Sequence, residues 1–166
     1  LLYQKLYRLI KKILMIKVDV FIKDKNWKKY ISNPNKYLNK LAKKINLNIF
    51  SKSKSVNFSI QLTGNKEIKN LNKKFRKKNK TTDVLSFPYY DPSETRIKLK
   101  LNKTIYLGDI VINLYKIDKR KIKFKSEFNK LWVHGLVHLL GYKHHKNKDF
   151  FEMMKIENKI IKQLKC

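Results

Sequence analysis

Residues 126–145 read SEFNKLWVHGLVHLLGYKHH, and this stretch decides how the rest of the chain is read. It predicts a helix over 126–140, with Ser126 as N-cap and Gly141 as its C-terminal stop. His134 and His138 stand four apart on that helix. Their imidazoles then share one face, one turn apart, where they can grip one metal ion. Gly141 lets the chain turn, so His144 can return to the same ion. Three nitrogen ligands leave one tetrahedral position open, the arrangement of a catalytic zinc rather than a closed structural one. That position takes water, and zinc draws the water's pKa toward about 7. A lone His-x-x-x-His pair is a weak signal, and the glycine stop with a third histidine strengthens it. His145 is the fourth and last histidine of the chain. It competes for the third position, shuttles protons or is solvated, and the last is the plainest reading.

The stretch also carries an absence. In the zinc-peptidase motif His-Glu-x-x-His, a glutamate follows the first ligand as general base. Here that place is Gly135. Peptide hydrolysis loses its usual base. Phosphodiester cleavage is less demanding, because a metal-activated hydroxide or a ribose hydroxyl can attack while cations steady the phosphorane. Arg76 is the candidate cation, since guanidinium meets two phosphate oxygens as a planar fork. On its residue type alone, Arg76 is one base among 41 Lys and Arg.

Outward from the histidines, the chain alternates strands and helices. Val18 to Ile22 suggests a short strand, and MIKVDVFI (15–22) reads well as a first strand. Asn33-Pro34 starts a helix, as N-cap and N1, that Tyr37, Leu38, Leu41, Ala42 and Ile45 continue. SVNFSIQLT (55–63) has an apolar period of two, a half-buried strand that Gly64 ends. Ile68, Leu71 and Phe75 mark a helix ending near Arg76. KKNKTTDVLSFP (77–88) reads as a loop running into a strand, and residues 89–103 as an exposed loop with a turn at Asp91-Pro92-Ser93. TIYLGDIVIN (104–113) is a strand with Gly108 at a bulge or a close backbone approach. DFFEMMKIENKIIKQL (149–164) closes the chain as a helix with an apolar stripe at Phe150, Met153, Met154, Ile156, Ile160 and Leu164. Mixed strands and helices without repeats or linkers predict one α+β domain.

Composition narrows the partners. The net charge is +29, from 41 basic against 12 acidic residues. A field of that size favours polyanions, nucleic acid first. Asn, Ile, Tyr and Phe are abundant too, residues that an AT-rich coding sequence inflates along with Lys, so both sources of the charge stay open. The single cysteine, Cys166, excludes a disulfide within the chain and a four-cysteine zinc site. Lys5, Arg8, Lys11, Lys12 and Lys17 interrupt the apolar start, which argues against a membrane span, and no small-residue cleavage site follows, which argues against a signal peptide. Residues 1–14 read as a basic extension ahead of Met15, although a helix lying on a membrane surface would look similar.

Three stretches together resemble the YbeY family of endoribonucleases. HGLVHLLGYKH (134–144) resembles the family's His-Gly-x-x-His-Leu-x-Gly-Tyr-Asp-His signature. LNKKFRKKNKTTDVLSFP (71–88) resembles its arginine and Thr-Asp-Val-Leu-Ser-Phe-Pro segment, and YLGDIVIN (106–113) its Leu-Gly-Asp-Ile strand. The likeness runs from about Met15 to the last helix, so residues 15–166 form the family-like domain. It implies a mixed sheet flanked by helices, with a metal cleft at the His-x-x-x-His helix. It implies one zinc ion per chain on His134, His138 and His144, and it raises Arg76 to an active-site residue. The implied activity is cleavage of single-stranded RNA in the cytoplasm, in maturation of the 3′ end of ribosomal RNA and in ribosome quality control. The implied partners are ribosomal RNA and the ribosome or its small subunit, with no membrane and no small-molecule cofactor. Thr82, Asp83 and Ser86 are expected to be structural, as hydrogen bonders of a turn and a sheet edge. Lys143 departs from the family pattern, because the family has Asp there and Lys cannot serve as an acceptor behind a ligand. Two other readings stay open: a zinc peptidase-like hydrolase, and a non-enzymatic ribosome-assembly factor with a structural metal.

Overall fold

The computed structural model describes residues 15–47, 55–143 and 147–165. Residues 1–14 and the two histidines at 144 and 145 lie outside them. Four strands form one sheet: β1 (Met15–Ile22), β2 (Ser55–Thr63), β3 (Val84–Pro88) and β4 (Thr104–Asn113). Their spatial order is β1-β2-β4-β3. β1, β2 and β4 run parallel, and β3 pairs antiparallel on the β4 edge. Five α-helices accompany them among the described residues: α1 (Pro34–Ala42), α2 (Asn65–Arg76), α3 (Pro92–Leu101), α4 (Lys121–Leu139) and α5 (Asn147–Lys165). The architecture is the expected single α+β domain around a mixed sheet.

The period-two pattern of β2 becomes a fully buried row, because Val56, Phe58, Ile60 and Leu62 lie beneath helices. They share the main core with α1, α4 and α5. A smaller cluster joins Ile68 of α2 to Leu85 and Val111 of β3 and β4. The free edge of β1 is closed by a side chain. Asn39 of α1 accepts from Val18 N and donates to Val18 O, as a neighbouring strand would. At Gly108 both expected reasons for glycine hold. The β2–β4 register shifts there, φ is +128°, and a Cβ would stand 2.2 Å from Phe87 O.

β1 covers MIKVDVFI from Met15, as expected of a first strand. Three readings need correction. Ser126 is not an N-cap: α4 starts at Lys121, with Arg120 at the cap position. The aromatic row Phe124, Phe128 and Trp132 explains this, since burying Phe124 against Trp27 and Tyr30 requires helix upstream of Ser126. Residues 89–103 are not a loop, since α3 occupies most of them. Asp91-Pro92 opens α3 as N-cap and N1, and only Thr95 and Leu99 turn inward. Ile97 and Leu101 stay exposed, so no helical stripe was visible in the sequence. On α5, Met153, Ile160 and Leu164 are core as expected, but Phe150 and Met154 are exposed. Met154 lies about 100° around the helix from Met153, off the buried face.

Candidate active site

α4 positions the two described histidines by the way it ends. Gly141 has φ +89°, and its N–H donates to His138 O while Tyr142 N–H donates to Val137 O. This pair of bonds is the Schellman ending, which needs a left-handed residue at that point. A Cβ on Gly141 would also press on the Pro92 backbone at 3.0 Å. The reversal brings Tyr142 O back over the last turn, where it lies 3.0 Å from His138 Nδ1. His134 Nδ1 lies 2.8 Å from Glu157 Oε1 of α5.

These two acceptors set the state of both rings. A carbonyl and a carboxylate only accept, so each Nδ1 carries the hydrogen. The neutral rings then present lone pairs on both Nε2 atoms. Those atoms face each other 3.1 Å apart. Two lone pairs at that distance repel unless a positive charge, a proton or a metal ion, lies between them. Nitrogens at zinc-ligand distance on a tetrahedral ion stand about 3.3 Å apart. The donor set therefore fits a metal ion, with a carboxylate and a backbone carbonyl behind the ligands as metal-binding histidines commonly have. Among the described residues no three His, Cys, Asp or Glu side chains group to hold a metal. The expected third ligand, His144, lies outside them.

Glu157 and the Tyr142 carbonyl are the site features that sequence reasoning missed. The carbonyl has no sequence signal beyond the Gly141 stop. Glu157 was legible only as a carboxylate beside the apolar stripe of α5. Together they answer the concern over Lys143. Both described histidines have their acceptors elsewhere, so the missing aspartate leaves neither without one.

Arg76 is the last residue of α2 and lines the same cleft as His134 and His138, a space of about 1060 Å³. The turn after it is fixed from inside. Lys77 takes a left-handed conformation (φ 59°), Lys78 N–H donates to Asn72 O, and the buried Asn72 side chain donates to Lys80 O. Asn113 then holds the next residues, donating through Nδ2 to Thr82 O and through its backbone to Asp83 O. Thr82 and Asp83 make the hydrogen bonds of a turn: Thr82 Oγ1 and Val84 N both donate to Asp83 Oδ1. Thr82, Asp83 and Ser86 all line the cleft, with Lys78, Lys130 and Lys143. Lys130 is held 3.1 Å from Glu127. The cleft thus places a histidine pair under a rim of cations.

Gly135 lies about 100° around α4 from His134 and faces β4. A Cβ there would stand 2.7 Å from Ile110 Cγ2. Glycine is what allows the helix this close to the sheet. A glutamate in that place would need room that Ile110 fills.

Comparison with known proteins identifies the family. The family model for endoribonuclease YbeY matches residues 21–165. The chain is 41% identical to endoribonuclease YbeY of Pelagibacter ubique, over 91% of this chain and 97% of that one. It is 37% identical to the enzyme of the same name from Buchnera aphidicola subsp. Schizaphis graminum, over 82% and 84% of the two chains. The Ehrlichia chaffeensis enzyme of that name is 31% identical, over 90% and 93%. Among solved structures, a Thermotoga maritima protein determined in solution shares the fold, with TM-score 0.52, 24% identity, and 90% of this chain and 89% of that chain covered. The chain belongs to the YbeY endoribonuclease family.

Proposed function

We propose that this protein is a zinc-dependent, single-strand-specific endoribonuclease that matures the 3′ end of ribosomal RNA and acts in ribosome quality control in the cytoplasm. The observation that carries the metal-dependent part is the pair of Nε2 atoms turned toward each other at 3.1 Å, each ring fixed by an acceptor at Nδ1. His134 and His138 would hold the ion, with His144 as third ligand. The chemistry such an ion supplies when bound is Lewis acidity, for the phosphoryl oxygens and for the attacking oxygen.

The chain's own residues do the rest. Glu157 and Tyr142 O keep the imidazoles from rotating away. Arg76 binds the scissile phosphate and offsets the charge that builds on it, an interaction that strengthens toward the transition state. Lys78, Lys130 and Lys143 hold the neighbouring backbone phosphates without reading sequence. The peptidase reading is weakened by Gly135, because its usual base has neither a side chain nor space. No helix among the described residues is long and apolar enough to cross a membrane.

The test is cleavage of a ribosomal RNA 3′-end fragment, offered single-stranded and as a duplex, by the wild type and by His138→Ala. Cleavage of the single strand alone, lost in the variant, is the expected outcome. Equal cleavage by both proteins would assign the activity to a contaminating nuclease. Binding without cleavage by wild type would favour the assembly-factor reading.

A further inference from the structure

A second cavity, of about 430 Å³, opens beside the first. The two share Arg76, Ser86, His138 and Lys143. These shared residues are the joint at which the proposed reaction places a phosphate. Whatever is covalently attached one step from that phosphate falls into the second cavity. Its size lies at the lower end of the range that small ligands occupy.

The second cavity differs from the first in its aromatic walls, Tyr89, Tyr90 and Tyr142. Tyr89 is 66% exposed, a large aromatic residue left open to solvent. The ring is nonetheless braced: Tyr90 meets it edge-on at 4.8 Å and Tyr106 at 5.8 Å. A braced, exposed aromatic ring beside a cationic rim is the platform on which single-stranded nucleic acids stack a base. The charged residues that this cavity adds to the four shared ones are carboxylates, Asp91 and Glu94. Asp91 stands at the N-cap of α3 and yet makes no side-chain cap hydrogen bond. Glu94 is held only loosely, 3.9 Å from Lys98. Carboxylates repel a phosphate but accept from the amino groups of adenine, cytosine and guanine. Uracil has no exocyclic amino group and offers only its ring N3–H.

We propose that the second cavity is a nucleobase subsite: the base of a nucleotide next to the scissile phosphate stacks on Tyr89 and donates an amino hydrogen bond to Asp91, which selects against uridine. The inference rests on the single-strand RNA reading of the first cleft. It adds a sequence preference to that reading.

The experiment uses the full chain and a set of single-stranded RNA oligonucleotides of one length. In each, one position is replaced in turn by an abasic ribose or by uridine. Binding is read by fluorescence anisotropy and cleavage by product analysis. With wild type, one abasic position next to the cut should weaken binding about tenfold, the effect of one lost base–aromatic stack. Uridine at that position should bind more weakly than the amino-bearing bases. Tyr89→Ala should bind intact RNA about tenfold more weakly and show no further loss at the abasic position, while Tyr89→Phe keeps the wild-type pattern. Asp91→Asn should lose the discrimination against uridine and keep the abasic effect. Equal abasic losses in wild type and Tyr89→Ala, or no sensitive position, would overturn the subsite. Absence of cleavage by wild type would instead overturn the nuclease reading, and the anisotropy scan would still test the subsite by itself.

Discussion

The two banks of the cleft are built to different depths. The histidine bank is α4, seated on the main core through Phe124, Phe128, Trp132, Leu136 and Val137. The arginine bank is α2, which rests on a cluster of only Ile68, Leu85 and Val111, with Leu71 and Phe87 partly covering it. The first bank fixes two ring nitrogens against each other and carries its own hydrogen-bond acceptors. The second offers an exposed guanidinium at a helix end, steadied by a polar turn. A site that must hold a metal ion gains from rigidity. A group that meets a mobile, charged substrate needs less of it. The difference teaches that metal binding and phosphate handling should fail separately.

The strongest way to break that separation is through the deep bank. Trp132 is fully buried, and its indole N–H donates to Asn129 Oδ1. Trp132→Ala should cost about 3–5 kcal/mol of stability. Thermal unfolding should show it, with zinc and activity lost together. Retention of full zinc content at an unchanged melting temperature would break the contrast between the banks. Next is Arg76→Ala, expected to lower kcat/KM on single-stranded RNA by about 10²–10³-fold. Zinc content and melting temperature should stay at wild-type values, because the exposed arginine supports neither. Loss of zinc in this variant would show the banks to be coupled.

The shallow bank can also be weakened from beneath. Leu85→Ala removes the middle of the small cluster and should cost about 2–3 kcal/mol. Cleavage should fall further than zinc affinity does, since α2 and its arginine lose their seat. Glu157→Gln sharpens the comparison from the other side. An amide can turn its oxygen toward His134 but holds it less firmly, so zinc affinity should drop about 10–100-fold by chelator competition. The fold should remain, because Glu157 lies at the cleft wall.

The smallest effect belongs to Tyr37, whose hydroxyl donates to Asn129 Oδ1 behind the deep bank. Burial raises the Tyr37 phenol above its ordinary pKa, with the Asn129 bond opposing. A raised phenol stabilises the fold below the unfolded value of about 10 and loses that contribution as pH climbs through the folded value. Tyr37→Phe should cost about 1 kcal/mol at neutral pH and flatten the alkaline loss. Denaturant unfolding at pH 7 and above pH 10 reads both.

The same two banks differ in how far the sequence announced them. The histidine spacing and the Gly141 stop were legible because helix periodicity and the left-handed ending leave residue-type signatures. Gly135 was read as a missing base; only the structure shows that it also lets α4 touch Ile110. β2, β4 and the end of α2 were legible from alternation and from Gly64. α3 was not, since its apolar residues Ile97, Leu99 and Leu101 alternate as a strand would, and the Asp91-Pro92 start looked like a turn. Ser126 misled because capping preference is worth less than burying Phe124. Arg76 gave no signal of its own among so many bases, and only the family likeness and the cleft geometry single it out. Tertiary partners such as Glu157 and the Tyr142 carbonyl have no local pattern to be read.

The most direct measurement is the metal content of the purified wild-type protein, folded and never exposed to chelator, by elemental analysis. The account predicts about one zinc per chain, as a three-ligand site suggests, and loss of that zinc in His138→Ala. A folded wild-type protein that carries no metal and still cleaves single-stranded RNA would contradict it.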